Sequence, residues 1–198
     1  MSTLLKINTS ILASGNSRQL VDHFVSEWQR THPKGKIIDR DLASVPIPHI
    51  DENVINGFFT PAEEQSINQR KGVARSDELI KEIVDSDTIV LGVPMYNFGI
   101  PSTLKAWIDH VARAGITFNY SPNGPIGLLA GRKAFILSAQ GGKFAGSEHD
   151  SLSGQIRSFF WLVGISDITF VYAQGMNITN EKEESTHTAK REISRLVA

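Results

Sequence analysis

Val93-Pro94-Met95-Tyr96-Asn97-Phe98-Gly99-Ile100-Pro101-Ser102-Thr103-Leu104-Lys105 decides how the rest of the chain is arranged. Before it, Thr88-Ile89-Val90-Leu91-Gly92-Val93 is apolar and β-branched without alternation, the pattern of a parallel strand covered on both faces. After it, Leu104, Trp107, Ile108, Val111 and Ala112 recur at helical spacing. Pro101 stands where a first helical residue tolerates a missing N–H, and Gly115 where a helix can close. The segment is strand, tight loop, helix. In an open α/β sheet ligands gather at the carboxyl ends of the strands, so Met95, Tyr96, Asn97 and Phe98 should face whatever is bound. Two aromatics around an amide suit a flat, polar-edged ring better than a phosphate.

Working outward, Thr3 to Asn8 is a first strand. Ser10-Ile11-Leu12-Ala13-Ser14-Gly15-Asn16-Ser17 then forms a small-residue loop feeding a helix whose apolar face is Leu20, Val21, Phe24, Val25 and Trp28. Asn16 or Ser17 is placed to cap that helix, and hydroxyls at the positive end of a helix dipole make an anion site. Lys36 to Leu42 is a second strand. Ala43 to Phe59 is irregular, and Thr60-Pro61-Ala62-Glu63 has the form of a capping box, predicting a helix from there to Val84 with a break near Gly72. Ile116 to Gly127 is a turn-rich flap carrying Phe118 and Tyr120. Ala134 to Ser138 is a fourth strand, followed by Ala139-Gln140-Gly141-Gly142, where glycines allow close approach of a ligand to the backbone. A helix over Leu152 to Val163, a strand over Asp167 to Ala173 and a polar helix over Glu181 to Val197 complete the chain. The alternation predicts a single domain over residues 1–198, built on a doubly wound five-stranded parallel sheet of order 2-1-3-4-5. In that order the first, third and fourth strands end side by side, so the three loops border one crevice.

Composition narrows the chemistry. The 198 residues carry a formal net charge of −1, which leaves no cationic surplus for nucleic acid, and no cysteine, which excludes thiolate nucleophiles and Cys-ligated metals. No apolar run approaches the ~20 residues of a membrane span, and the N-terminus lacks a signal-peptide pattern, so a cytoplasmic protein is expected. The six histidines show no metal-ligand spacing, and no metal is expected. They are read as surface or capping residues, with His149 nearest a candidate loop. There is no nucleophile elbow and no phosphate-binding P-loop. Trp107, Phe160 and Trp161 are read as core.

With these residues in place, the chain resembles the FMN-dependent NADH azoreductases, also described as NADH:quinone oxidoreductases, of flavodoxin-like fold. The likeness is carried by Ser10-Ile11-Leu12-Ala13, Pro94-Met95-Tyr96-Asn97-Phe98, Val111-Ala112-Arg113-Ala114-Gly115-Ile116-Thr117-Phe118 and Gly141-Gly142, and it extends over the whole chain. The resemblance implies that Ser10, Asn16 and Ser17 hold the FMN phosphate side. It implies that Met95, Tyr96, Asn97 and Phe98 hold the ring, and that Ala139, Gln140, Gly141 and Gly142 line its other edge. It further implies a homodimer with sites at the subunit interface, Phe118 and Tyr120 near the flavin and facing substrate. The implied reaction is ping-pong transfer of two electrons from NADH, with NADPH the alternative donor, to a quinone or azo compound, with Asn97 the positioning residue. The chain departs from the pattern in a first loop one residue shorter and in Gln140, where many relatives carry Arg. A flavodoxin-type electron carrier or redox sensor is the alternative, and the near-neutral charge disfavours it because carriers dock through strongly acidic surfaces.

Overall fold

A computed structural model describes residues 2–198. Its main sheet is five parallel strands in the order β2-β1-β3-β6-β7: β1 (Thr3–Asn8), β2 (Lys36–Asp41), β3 (Thr88–Pro94), β6 (Lys133–Ala139) and β7 (Asp167–Ala173). β4 (Phe118–Ser121) and β5 (Gly124–Gly127) pair antiparallel as a separate hairpin, the flap expected from sequence. Counting the strands of the main sheet alone, the order is the 2-1-3-4-5 read from the sequence.

The strands are apolar on both sides because helices cover both. On one face Leu5, Ile7, Leu91, Val93 and Ile136 pack against α3 (Ile67–Val84), α4 (Ser102–Val111) and α5 (Ser151–Val163) through Leu79, Ile83, Leu104, Trp107, Leu152, Ile156 and Phe160. On the other, Leu4, Val90, Leu137 and Val171 meet Leu20, Phe24 and Trp28 of α1 (Asn16–Thr31) and Ala189 and Ile193 of α6 (Lys182–Val197).

Local readings are corrected in five places. The irregular stretch contains α2 (Glu52–Phe59), started by Asp51, whose side chain accepts from Val54 N–H at 2.9 Å. The long helix begins at Ile67 rather than Thr60. Its capping box is Ser66 with Gln69, a reciprocal pair of side-chain to backbone bonds. It does not break at Gly72: a Cβ there would stand 2.6 Å from Val54 Cγ2, so the glycine lets α2 cross α3 closely. Pro101 is the N-cap of α4 rather than its first residue, and the helix closes at Ala112, with Gly115 at φ +81° in the turn beyond. Trp161 is not core. It is 64% exposed, pointing away from the Phe159, Phe160 and Val163 face of α5.

Candidate functional site

The carboxyl ends of β1, β3 and β6 are tied together by specific bonds. Met95 N–H donates to Ala139 C=O at 2.9 Å, joining the second loop to the third, and Ile11 N–H lies 3.4 Å from the Tyr96 hydroxyl, joining the first to the second. Phe98 C=O accepts from Ser151 Oγ at the start of α5. The Phe98 ring meets Phe144 edge-on at 5.0 Å and lies 5.9 Å from the His149 ring. The three loops expected to lie together therefore do so: the ends of β1, β3 and β6 and the loops that follow them stand side by side.

The first loop closes on itself before α1. Gly15 is the N-cap; a Cβ there would overlap Ser10 Oγ, so only glycine lets the Ser10 hydroxyl lie against the helix start. This corrects the expected cap: neither Asn16 nor Ser17 caps α1, and no side chain does. Gln19 N–H bonds Gly15 C=O, so the N–H groups of Asn16, Ser17 and Arg18 have no intrahelical acceptor. No acidic residue stands in that first turn. Asn16 is half-buried, while Ser10 and Ser17 are buried, and Ser17 Oγ has no partner within the protein. A helix start with free donors and no carboxylate of its own suits an external anion.

Beneath this loop Arg18 donates to Asp41 at 2.8 Å and to Ser10 C=O at 3.3 Å. Burial works to raise the Asp41 carboxyl. Bonds from Arg18 and from Ser44 and Ala43 N–H outweigh it and hold the group at about 2, against an ordinary 3.8. The same bond from Asp41 raises Arg18 against the opposing effect of burial.

The middle loop is a two-residue turn in which Tyr96 and Gly99 exchange both backbone bonds, at 3.0 and 2.9 Å. Asn97 (φ +49°) and Phe98 (φ +65°) are both left-handed, as a type I′ turn requires. Asn tolerates that region, whereas a phenylalanine there is strained, and strain of this kind collects at functional sites. The turn presents Asn97 and Phe98 to solvent over half-buried Met95 and Tyr96.

In the third loop Gln140 is 0% exposed. Its backbone N–H and C=O are taken by Ala173 and Met176, and its side-chain amide is turned toward Ser138 with Oε1 unpartnered. Gln140 thus points into the protein, away from the exposed side of the loop. Ala139, also buried, gives its carbonyl to Met95. The free donors are the N–H groups of Gly141 and Gly142, whose carbonyls receive Asn177 and Gly175 N–H. Cβ atoms at these two positions would meet Asn177 Nδ2 at 2.7 Å and Phe144 Cζ at 2.6 Å, so the loop's shape depends on both glycines.

Of the hairpin aromatics, Phe118 is 5% exposed and turned into the protein, edge-on to Tyr120 at 5.2 Å; Tyr120 is 80% exposed. Sequence reasoning missed Arg18, which reads as an ordinary helix-surface cation, and Trp161. It also took His110 for a surface or capping residue, whereas His110 is buried. Its Nε2–H donates to Pro48 C=O at 3.1 Å, and burial lowers its pKa with Arg75 adding to the effect. Among the described residues no group of three His, Asp or Glu could hold a metal ion, and no helix is long and apolar enough to cross a membrane.

A doubly wound sheet with its loops gathered where the strand order reverses defines a flavodoxin-like protein, and a family model described as flavodoxin-like fold matches residues 2–197. The FMN-dependent NADH:quinone oxidoreductase of Cellvibrio japonicus (strain Ueda107) is 45% identical, with 100% of each chain covered. The chain belongs to this oxidoreductase family. Among solved structures, the azoreductase from Bacillus anthracis str. Sterne superposes with a TM-score of 0.92 at 25% identity, over 100% of this chain and 99% of that one. The FMN-dependent NADH-azoreductase from Bacillus anthracis str. Ames Ancestor, in complex with FMN, gives 0.89 at 25% identity, over 99% and 98%.

Proposed function

We propose that this protein is an FMN-dependent oxidoreductase that takes electrons from NADH, with NADPH the alternative donor, and passes two to quinones and azo compounds. The observation that carries the reading is the start of α1: free N–H groups, no acidic residue, no side-chain cap, and a buried Ser17 hydroxyl without a partner, beside a loop of aromatic and amide side chains. These residues fit a phosphorylated aromatic ring. Ser10, Asn16 and Ser17 would take the phosphate side; Met95, Tyr96, Asn97 and Phe98 would bed the ring. Ala139 and Gln140 shape the far edge from behind, and the Gly141 and Gly142 N–H groups face it. When bound, FMN supplies reversible two-electron chemistry, and donors at the ring's edge favour its charged reduced form.

The chain's task is positioning. Asn97, on a rigid turn, is the residue that orients reactants at roughly the 3–3.5 Å that transfer demands. Donor and acceptor use one crevice, so they take turns and ping-pong kinetics follow. Tyr120, Trp161 and Phe59 are 80%, 64% and 76% exposed, large apolar surfaces suited to a second copy of the chain, and a homodimer placing Tyr120 near the crevice is part of this reading. The test is anaerobic: the purified protein, loaded with FMN, is mixed with NADH in a stopped-flow instrument and then with a quinone. Bleaching by NADH and recovery with quinone are expected. A protein that takes up no FMN, or binds it without bleaching, refutes the proposal, and the second result indicates an electron carrier.

A further inference from the structure

Arg18 is set beneath the first loop, and its fork joins three elements. Nη1 donates to Asp41 Oδ2 at 2.8 Å and Nη2 to Ser10 C=O at 3.3 Å, while Asp41 Oδ1 accepts from Ala43 and Ser44 N–H at 3.0 and 3.2 Å. Both side chains are largely covered, at 18% and 25% exposure. Lys6, paired with Asp22 at 3.7 Å and Asp39 at 3.1 Å, lies on the same side, and Asp22 and Asp39 act on Arg18 only through space. In a planar trans peptide the C=O and the following N–H point in opposite directions. Drawing Ser10 C=O down onto Arg18 therefore turns Ile11 N–H the other way, toward the middle loop, where it donates to the Tyr96 hydroxyl at 3.4 Å, a long bond that a phosphate oxygen can replace.

We infer that Arg18 is a positioning residue for the anion-binding loop: braced by Asp41, it holds the Ser10–Ile11 peptide so that its N–H faces a bound phosphate group. This rests on the reading of the crevice as an FMN site. Guanidinium geometry is essential, because one ammonium cannot reach both Asp41 and the Ser10 carbonyl in fixed directions. The brace acts on the loop rather than on the ring bed, so its loss should fall on phosphate recognition.

The experiment measures FMN and riboflavin affinity by flavin fluorescence for the parent chain, Arg18→Gln and the conservative Arg18→Lys. Amide hydrogen exchange at Ile11 is followed in each without flavin. The parent should bind FMN well in preference to riboflavin. Arg18→Gln should lose about tenfold in FMN affinity, the weight of one charge-assisted bond, with riboflavin affinity unchanged and faster exchange at Ile11. Arg18→Lys should recover only part of the loss. Unchanged FMN affinity in Arg18→Gln overturns the inference, as does an equal loss for both flavins, which marks a general brace, or full recovery in Arg18→Lys, which marks charge alone. A parent chain that binds neither flavin refutes the proposed function instead, so the two failures are distinct.

Discussion

Replacing Ser17 by alanine should move the stability of the flavin-free and flavin-loaded protein in opposite directions. Ser17 is the second residue of α1, 1% exposed, and its Oγ has no protein partner. A buried hydroxyl left unpaired costs about 1–3 kcal/mol, and alanine is the better helix former by a few tenths. At the low end of that range, Ser17→Ala without flavin should be more stable by about 1 kcal/mol, or ~2–4 °C in Tm for a chain of this size. A hydrogen bond to a charged group contributes about 1.5–3 kcal/mol, so FMN affinity should fall roughly ten- to hundredfold. At FMN near a thousand times the parent Kd, binding adds about 4 kcal/mol to the parent, but only about 2 to a variant binding thirtyfold more weakly. The order of stability then reverses by about 1 kcal/mol. Thermal unfolding with and without saturating FMN, beside riboflavin as a control lacking the phosphate, measures both. A variant that is destabilised without flavin and keeps its FMN affinity would show that the hydroxyl serves packing and does not face the phosphate.

Asn97→Ala should lower turnover more than FMN retention, because one positioning contact goes while the first loop stays intact; steady-state rates beside FMN titration separate the two, and an equal loss rejects the role. Asp41 is held at about 2 in the folded chain against an ordinary 3.8, so its ionised form contributes stability that is complete above about pH 4 and lost as the pH falls toward 2. Asp41→Asn should be less stable than the parent at neutral pH, with the gap closing across that window in denaturant titrations at several pH values; a pH-independent gap refutes the pairing. Gly127→Ala should destabilise strongly, by about 3 kcal/mol, because its Cβ would fall on the backbone of Val163 and Gly164 with no rotamer to escape by. The loosened hairpin should be cut faster by protease between Phe118 and Gly127, and an unchanged cleavage rate would count against that anchoring.

The sheet was legible because its information is local. β1, β3 and β7 are short, bounded apolar runs, and the topology that alternation implies was enough to bring Ser10, Tyr96 and Gly141 to one place. What escaped was tertiary in origin. α2 has only eight residues, with Gly57 inside it, so no apolar period announces it and its signal is the Asp51 cap. Thr60-Pro61-Ala62-Glu63 imitates a helix start, while the true capping box, Ser66 with Gln69, lies six residues on. Gly72 looked like a break because the reason for a glycine there, Val54 of a neighbouring helix, is eighteen positions away in sequence. Trp161 follows two core phenylalanines, yet a step of about 100° along a helix turns it outward. Arg18 between Ser17 and Gln19 reads as a solvated charge until the fold brings Asp41 against it.

The chain departs from its most stable arrangement in a few identifiable places. Sequences that specify a fold satisfy buried polar groups and keep bulky residues out of left-handed backbone, and departures gather where something else is selected. Here Asn8 Nδ2 and Oδ1, Ser17 Oγ and Arg18 Nε are buried without partners at the end of β1 and the start of α1, and Gln140 Oε1 at the end of β6. Phe98 is left-handed on the loop between them. A further set, Thr103 Oγ1, Trp107 Nε1 and His110 Nδ1, runs along one stripe of α4, the helix that this loop feeds. Apart from that stripe, the core away from these ends is closed by apolar contacts in both clusters. Among the described residues, five of the eight buried polar atoms without a partner, together with a strained aromatic, gather at these strand ends, and loops that only joined secondary-structure elements would have no reason to collect them there. Binding of a phosphorylated ring would engage the Ser17 hydroxyl and give the strained turn a surface to press against, so the costs borne by the empty protein offset part of the selectivity of the loaded one.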